Sequence, residues 1–500
     1  MQNLNLLAPE IALCLLGLGL MLADLLLPAR RARLLYHLAW FSCLVALGLV
    51  LRAPSWAGAI PGGGALWVVD PMSQFFKAMV LLCAALALML ALSYKPLPDS
   101  QAGTFSALLV FSTAGMMFLV SATDLLLVFV ALELISLSSF VLTGFERRNR
   151  KSNEGAIKYF LFGAFSSAIM VYGISLYYAA TGTTRLAAFT LGGGGVSLWT
   201  PALAGAGPAG PALALAMLFI LLGFGFKAAM APMHFWVPDA YEGAPTPVTT
   251  FLSVAPKIAT MGVLARVFMV LVPASGMQMT VLLALLAMLT MTVGNTIAIF
   301  QDNVKRMLAY SSVAQAGYIL IGIVSGNALG LEGVLLYSAV YAAMNIGAFA
   351  VVQAVGEQEG SYGLKSFDGL SRRSLPVALV MAVFLLSLAG IPPLGGFIGK
   401  FYIFASALDA GRAAGSGSLI FYALAVVGVL NSVVSVYYYM KIAYHMFFLP
   451  PQQGEGGAPA LAVGPYIYGC LAVTLAAVLF FGLWPESLIA QVKFSAQHLP

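Results

Sequence analysis

Charge is what this chain has least of. Only 8% of its 500 residues are Asp, Glu, Lys or Arg, against about 25% in soluble domains. With 61% hydrophobic residues it cannot cover a soluble surface, so ordinary soluble classes are excluded. Cysteine is also sparse. Cys14, Cys43, Cys83 and Cys470 all fall in apolar runs, with no C-x-x-C. That excludes iron–sulfur and zinc ligand sets at these spacings and leaves the four as small packing residues. No G-x-G-x-x-G and no P-loop occur; GFGFKAA at 223–229 and GGGG at 192–195 fit neither pattern. No nucleotide or redox centre is legible.

What the chain has instead is apolar length. Runs of about 20 residues match the hydrocarbon thickness of a bilayer. Fourteen are read, at about 6–27, 34–52, 71–93, 105–121, 124–146, 155–180, 211–238, 247–272, 277–300, 303–324, 330–356, 375–409, 418–447 and 464–484. The expected fold is therefore an all-α polytopic membrane protein. The first run lacks a basic n-region and an A-x-A site, and reads as a retained span. Alternating the spans puts thirteen basic loop residues on one side, among them Arg30, Arg147, Lys151, Lys305 and Arg372. The other side has only Arg52, Arg185, Arg412 and Lys493. The first side is expected to be cytoplasmic and both termini periplasmic. Three longer connectors, 181–210, 357–374 and QQGEGGAPALA at 452–462, read as flexible.

Spans four to eight (105–272) and nine to thirteen (277–447) are blocks of similar length. Five is odd, so a second copy enters from the opposite side, as in inverted transporter repeats. Residues 1–104 hold three leading helices, and 448–500 the last helix and tail. Span seven carries Pro232 and Pro238, and span twelve carries GIPPLGGF at 390–397. Both stand fourth in their block and are expected to be broken helices.

Ionisable groups at mid-membrane cost at least about 2.5–3.5 kcal/mol and are functional candidates by default. Glu133 lies mid-way along span five, Lys227 in span seven, Lys257 in span eight and Lys400 just after the break of span twelve. His234 stands seven residues after Lys227; a satisfied core histidine is the plain alternative. Lys158 follows Glu154 by four residues, which is equally a surface pair. Asp24, Lys77, Arg266, Lys441 and His445, nearer span ends, read as interface anchors, and Asp239 and Glu242 as a solvated loop or cap. Lysine and histidine exchange protons readily and arginine hardly does. Four central lysine or histidine sites and one glutamate thus suit proton transfer across the membrane.

The stretch F226-K-A-A-M-A-P-M-H-F-W-V-P-D-A-Y-E-G-A-P-T-P-V248 resembles the hallmark of the antiporter-like subunits of respiratory complex I and of multisubunit cation/proton antiporters. A389-G-I-P-P-L-G-G-F-I-G-K400 resembles that family's second broken helix. A131-L-E-L-I-S-L-S-S-F-V-L-T-G-F145 and E154-G-A-I-K-Y-F-L-F-G-A-F-S-S-A168 are similar to the N-subunit group of bacterial NADH–quinone oxidoreductases. So are Lys400, where the middle subunit usually has glutamate, and an end soon after span fourteen, without a long lateral helix.

The resemblance implies a proton-translocating membrane-arm subunit, beside other antiporter-like subunits in the bacterial inner membrane, with no cofactor of its own. NADH, FMN, iron–sulfur clusters and quinone belong to partner subunits. Glu133 would pair with Lys227, the carrier of the first half-channel, and Lys158 would modulate Lys227. His234 and Lys257 would continue the path, and Lys400 would carry the second half. A sodium/proton antiporter subunit without redox chemistry is the alternative, and an idle scaffold a third.

Overall fold

Lipid offers the backbone no hydrogen bonds, so each apolar run closes its own ladder as a helix. The computed structural model describes residues 4–27, 33–53, 66–97, 99–186, 210–275, 277–451 and 459–496. The first block is preceded by α1 (Ala8–Leu26), α2 (Arg33–Arg52) and α3 (Pro71–Ser93). It contains α4 (Ala102–Ser121), α5 (Leu125–Thr143), α6 (Arg150–Thr181), α7 (Gly210–Ala228), α8 (Val237–Gly243) and α9 (Thr246–Ser275). The second contains α10 (Met277–Ile299), α11 (Val304–Ser325), α12 (Ala328–Glu359), α13 (Leu375–Ala389), α14 (Gly395–Ala413) and α15 (Ser418–Phe447). Then come α16 (Pro465–Leu483) and α17 (Glu486–Ala496).

Twelve of the described helices are long and apolar enough to cross a membrane. The two remaining expected spans are broken pairs, α7–α8 and α13–α14. Helix starts follow local chemistry: the side chains of Asp70, Asp124, Asn149, Asn303 and Asn327 each accept a backbone N–H of the first turn. Gly182, Gly326 and Gly360 end α6, α11 and α12 in the left-handed conformation.

The centre of the bundle is α9, α11 and α12, whose spanning windows are fully buried. Around them, α1 and α16 present apolar side chains outward, where lipid costs them nothing.

Five expectations change here. Lys77 and Arg266 are not interface anchors. Lys77 Nζ lies 2.6 Å from Glu10 Oε1, both fully buried, and Arg266 grips Asp70 at 2.7 and 2.9 Å through both amino groups. Span position alone could not show them, because both partners are remote in sequence. Asp24 likewise faces inward, accepting Gly103 N–H, Thr104 N–H and the Thr104 hydroxyl at the start of α4.

The connector 357–374 is ordered rather than flexible. Leu364–Phe367 and Leu370–Arg373 are helical turns, and the segment is pinned by Val304 N–H to Tyr362 O and Leu364 N–H to Asp302 O, both 2.8 Å. Its side chains bond to the neighbouring helices: Asp368 Oδ1, for instance, lies 2.5 Å from Nδ1 of His445 in the last turn of α15. Of the other two connectors, 187–209 and 452–458 lie outside the described residues. Pro238, finally, breaks nothing: it sits in the first turn of α8, where its missing N–H is harmless.

Candidate functional site

Both breaks leave helix-terminal groups in the interior, and the chain satisfies them locally. At the first, α7 stops at Ala228 and Ala229 turns left-handed, with φ 61°. Trp236 Nε1–H donates to Phe226 O at 3.2 Å, Met230 N–H to Gly225 O at 2.8 Å, and Ala231 N–H to the Thr290 hydroxyl at 3.0 Å. At the second, α13 stops at Ala389 and Gly390 takes φ 87°. Gly396 N–H donates to the Ser387 hydroxyl at 3.1 Å. Each break carries one cis X–Pro bond, Ala231–Pro232 and Pro392–Pro393.

Lys227 is buried in the last turn of α7. Its ammonium donates to the Ser136 hydroxyl of α5 and the Tyr159 hydroxyl of α6, both at 3.1 Å. Tyr159 is itself held flat against Trp236, with ring centroids 4.0 Å apart. Glu133 does not pair with Lys227 as expected: its carboxylate accepts the Ser167 hydroxyl. The two charges instead line one cavity of about 10 Å³ with Ser136, Ser166 and Ser167, about the room of one water. They are within electrostatic reach but not in contact.

Lys158 makes the surface pair with Glu154 that the spacing allows, at 2.6 Å, and adds Asp239 at 2.7 Å, at the end of α6 nearer the basic loops. Its sequence neighbour Tyr159 is what reaches Lys227. Asp239 and Glu242 are no loose loop either. Arg306 of α11 bonds both, at 2.5 and 3.0 Å, and Lys151 bonds Glu242 at 2.7 Å. Partial burial works against ionisation of Asp239, but Lys158 and Arg306 outweigh it and hold its carboxyl below the usual range. Glu242 is lowered in the same way by Lys151 and Arg306.

Lys257, at the bundle centre, donates to the Ser312 hydroxyl of α11 at 2.6 Å and lies over the Tyr241 ring at 5.4 Å. His234 is buried within electrostatic reach of Lys257, and its Nδ1 has no protein partner. Lys400 donates to Leu388 O and Ala389 O at 3.0 Å and to the Ser432 hydroxyl at 2.8 Å, over the Tyr318 ring. The two carbonyls are those freed at the C-terminus of α13, the negative end of its dipole. Lys305, which reads as a loop residue in the sequence, is buried as well and donates to Ala244 O at 2.5 Å.

Lys227, His234 and Lys257 thus run inward from the first break, while Lys400 stands at the second. The oxygens facing these lysines are hydroxyls and carbonyls, with the one carboxylate held off. Such a set can gain and lose protons without breaking a contact ion pair. Sequence reasoning missed Tyr159, Ser136, Ser432 and Lys305. Only Tyr159 left a signal, as a polar ring one position from Lys158.

Residues 122–430 match the family model described as NADH:quinone oxidoreductase/Mrp antiporter, TM. The chain belongs to this family. Among its curated relatives, NADH-quinone oxidoreductase subunit N of Trichlorobacter lovleyi is 42% identical over 97% of this chain and 96% of that one. The subunit N of Moorella thermoacetica is 41% identical over 99% of both. Respiratory complex I from Thermus thermophilus with bound Aureothin contains a chain 31% identical, with a TM-score of 0.78 over 96% of this chain and 98% of that one. The Mrp complex from Dietzia has the same fold, with a TM-score of 0.81 at 20% identity, over 98% of this chain and 97% of that one. Within the family, the full-length matches group the chain with the N subunits. It is a multi-pass membrane protein. Among the described residues, no cluster of His, Cys, Asp and Glu could hold a metal ion.

Proposed function

We propose that this chain is the N-type, proton-translocating membrane-arm subunit of a bacterial NADH–quinone oxidoreductase. Electron transfer from NADH through FMN and iron–sulfur clusters to quinone takes place in partner subunits. The chain lies in the inner membrane with both termini periplasmic. Blocks 105–272 and 277–447 act as two halves, with Lys227 the carrier of the first and Lys400 of the second. Glu133 biases Lys227 across the small cavity, while His234 and Lys257 link the halves. Lys158 acts from a distance, by holding Asp239 against the end of the broken helix.

The observation that carries this reading is the surroundings of the lysines. Three of them, buried deep in an apolar bundle, sit on hydroxyls and helix-terminal carbonyls instead of on carboxylates. Desolvation favours the free amine and a nearby negative group the ammonium, so small changes around each site move its proton. Arginine would hold the proton throughout.

The test starts with a native gel of gently solubilised membranes, stained for NADH dehydrogenase activity and probed for this chain. Migration in a very large NADH-oxidising band supports the reading; a smaller, inactive band favours an antiporter. In membranes carrying Lys227→Arg, NADH-driven proton uptake is expected to fall at least tenfold with the complex intact. Wild-type pumping in that variant would contradict the titration argument.

A further inference from the structure

Helix α9 carries a stripe of hydroxyls leading to Lys257 that nothing above uses. Thr246, Thr250, Ser253 and Lys257 are spaced four, three and four apart, so they lie on one face of the helix. All are buried to 2% exposure or less. Each hydroxyl after the first returns to the backbone: Thr250 donates to Thr246 O at 2.8 Å and Ser253 to Thr250 O at 2.9 Å. Helix hydroxyls often do this without further purpose. Three observations lift the stripe above that.

The first is its outer end. Thr246 shares a hydrogen bond of 2.9 Å with the Tyr362 hydroxyl. Tyr362 contacts the Tyr94 hydroxyl, and Tyr94 donates to Glu146 at 2.7 Å. Glu146 lines an open cavity of about 680 Å³ on the side of the basic loops. The second is its inner end, where Lys257 rests on Ser312. The third is a vacancy in hydrogen bonding along the way: Asn345 donates to the Ser253 hydroxyl at 2.7 Å, yet its Oδ1 is buried with no partner. A buried carbonyl oxygen in a polar track is a natural seat for water.

We infer that Glu146, Tyr94, Tyr362 and the Thr246–Thr250–Ser253 stripe form the route by which protons from the basic-loop side reach Lys257. Successive members are three or four residues apart, about 4.5–6 Å along the helix axis, which one bridging water spans with two ordinary hydrogen bonds. A proton taken up by the Glu146 carboxylate passes along the row. Each hydroxyl or water accepts one proton and releases one, and the free amine of Lys257 ends as an ammonium. The row itself is unchanged once its members reorient. The route runs between the two blocks: Tyr94 follows α3, Thr246 opens α9 and Tyr362 belongs to the ordered connector after α12.

This inference rests on the proton-translocating reading, and its test separates the two. Thr250→Val removes the hydroxyl at nearly constant volume and Thr250→Ser keeps it. In the intact complex, Thr250→Val and Tyr362→Phe are expected to lower NADH-driven proton uptake about tenfold, the equivalent of about one hydrogen bond in the barrier. Thr250→Ser is expected to stay near wild type. Wild-type uptake in both Thr250→Val and Tyr362→Phe would overturn the route. So would equal losses in Thr250→Val and Thr250→Ser, which would indicate packing. Glu146→Gln, at the cavity rim, repeats the test if a core variant fails to assemble, with a fall in uptake expected and wild-type uptake overturning the route. Lys227→Ala is the control: if it pumps normally the translocation reading itself fails, whereas a dead Lys227→Ala beside normal Thr250→Val and Tyr362→Phe sinks only the route.

Discussion

At the scale of single residues, the resting place of Lys227 matters most. Its ammonium stands between two hydroxyls, Ser136 and Tyr159, with Glu133 across a cavity the size of one water. Lys227 can therefore move between a neutral cradle and a charged partner by a small side-chain swing. Tyr159 is the firmer half of the cradle, because Trp236 stacks on it and Phe140 meets its ring edge-on at 4.6 Å. Removing its hydroxyl should let the ammonium drift toward Glu133. Tyr159→Phe is therefore expected to keep assembly and NADH oxidation capacity while cutting proton uptake about tenfold, the scale of one hydrogen bond to a charged group. Proton uptake per NADH oxidised in sealed vesicles checks this, and an unchanged ratio and rate would remove Tyr159 from the mechanism.

At the scale of elements, the two broken helices solve one problem in different ways. Proline removes the donor that would have closed the ladder, and bare carbonyls in an apolar interior are costly. In α7 the freed groups find Trp236 and Thr290. In α13 they find Lys400 itself, so the lysine proposed as the second carrier also caps its own break. Glycine makes this possible. A Cβ at Gly396 would lie 1.8 Å from Ser387 O, and one at Gly390 2.9 Å from Lys400 Cδ, at a φ that disfavours side chains. Gly390→Ala is expected to cost about 1–3 kcal/mol and to displace Lys400 from the carbonyls. The expected result is a lower melting temperature of the subunit together with lost pumping. Pumping retained with only the stability loss would mean that the cap has no part in transport.

At the scale of the whole molecule, buried ion pairs fasten the leading helices to one another and to the first block. Glu10–Lys77 joins α1 to α3, and Asp70–Arg266 joins the start of α3 to α9. Breaking such a pair strands one charge in the interior, at about 3–5 kcal/mol. Glu10→Gln should therefore destabilise the subunit more than the double change Glu10→Gln with Lys77→Met, which leaves no charge behind. Thermal unfolding of the purified complex, followed by loss of this chain from the native band, reads the order. The reverse order would mean that Lys77 finds water or another partner. Asp239 plays a similar joining role between blocks, through Lys158 of α6 and Arg306 of α11.

The sequence by itself determined the solvent, the spans and the breaks, because these follow from local terms. Hydropathy over about 20 residues sets what crosses lipid, and proline and glycine fix where a ladder stops. It also marked Glu133, Lys227, His234, Lys257 and Lys400, since an ionisable group inside an apolar run is visible without any fold. Only the tertiary structure decided what each of them faces. Ser136 is 91 residues from Lys227, and Ser312 is 55 from Lys257. The surface pair of Lys158 with Glu154 was open to sequence reading, but its second partner Asp239, 81 residues away, was not. Lys305 read as a loop charge and proved buried. Partners so far apart in the chain meet only through helix packing, and a desolvated lysine takes whichever oxygens that packing brings within reach.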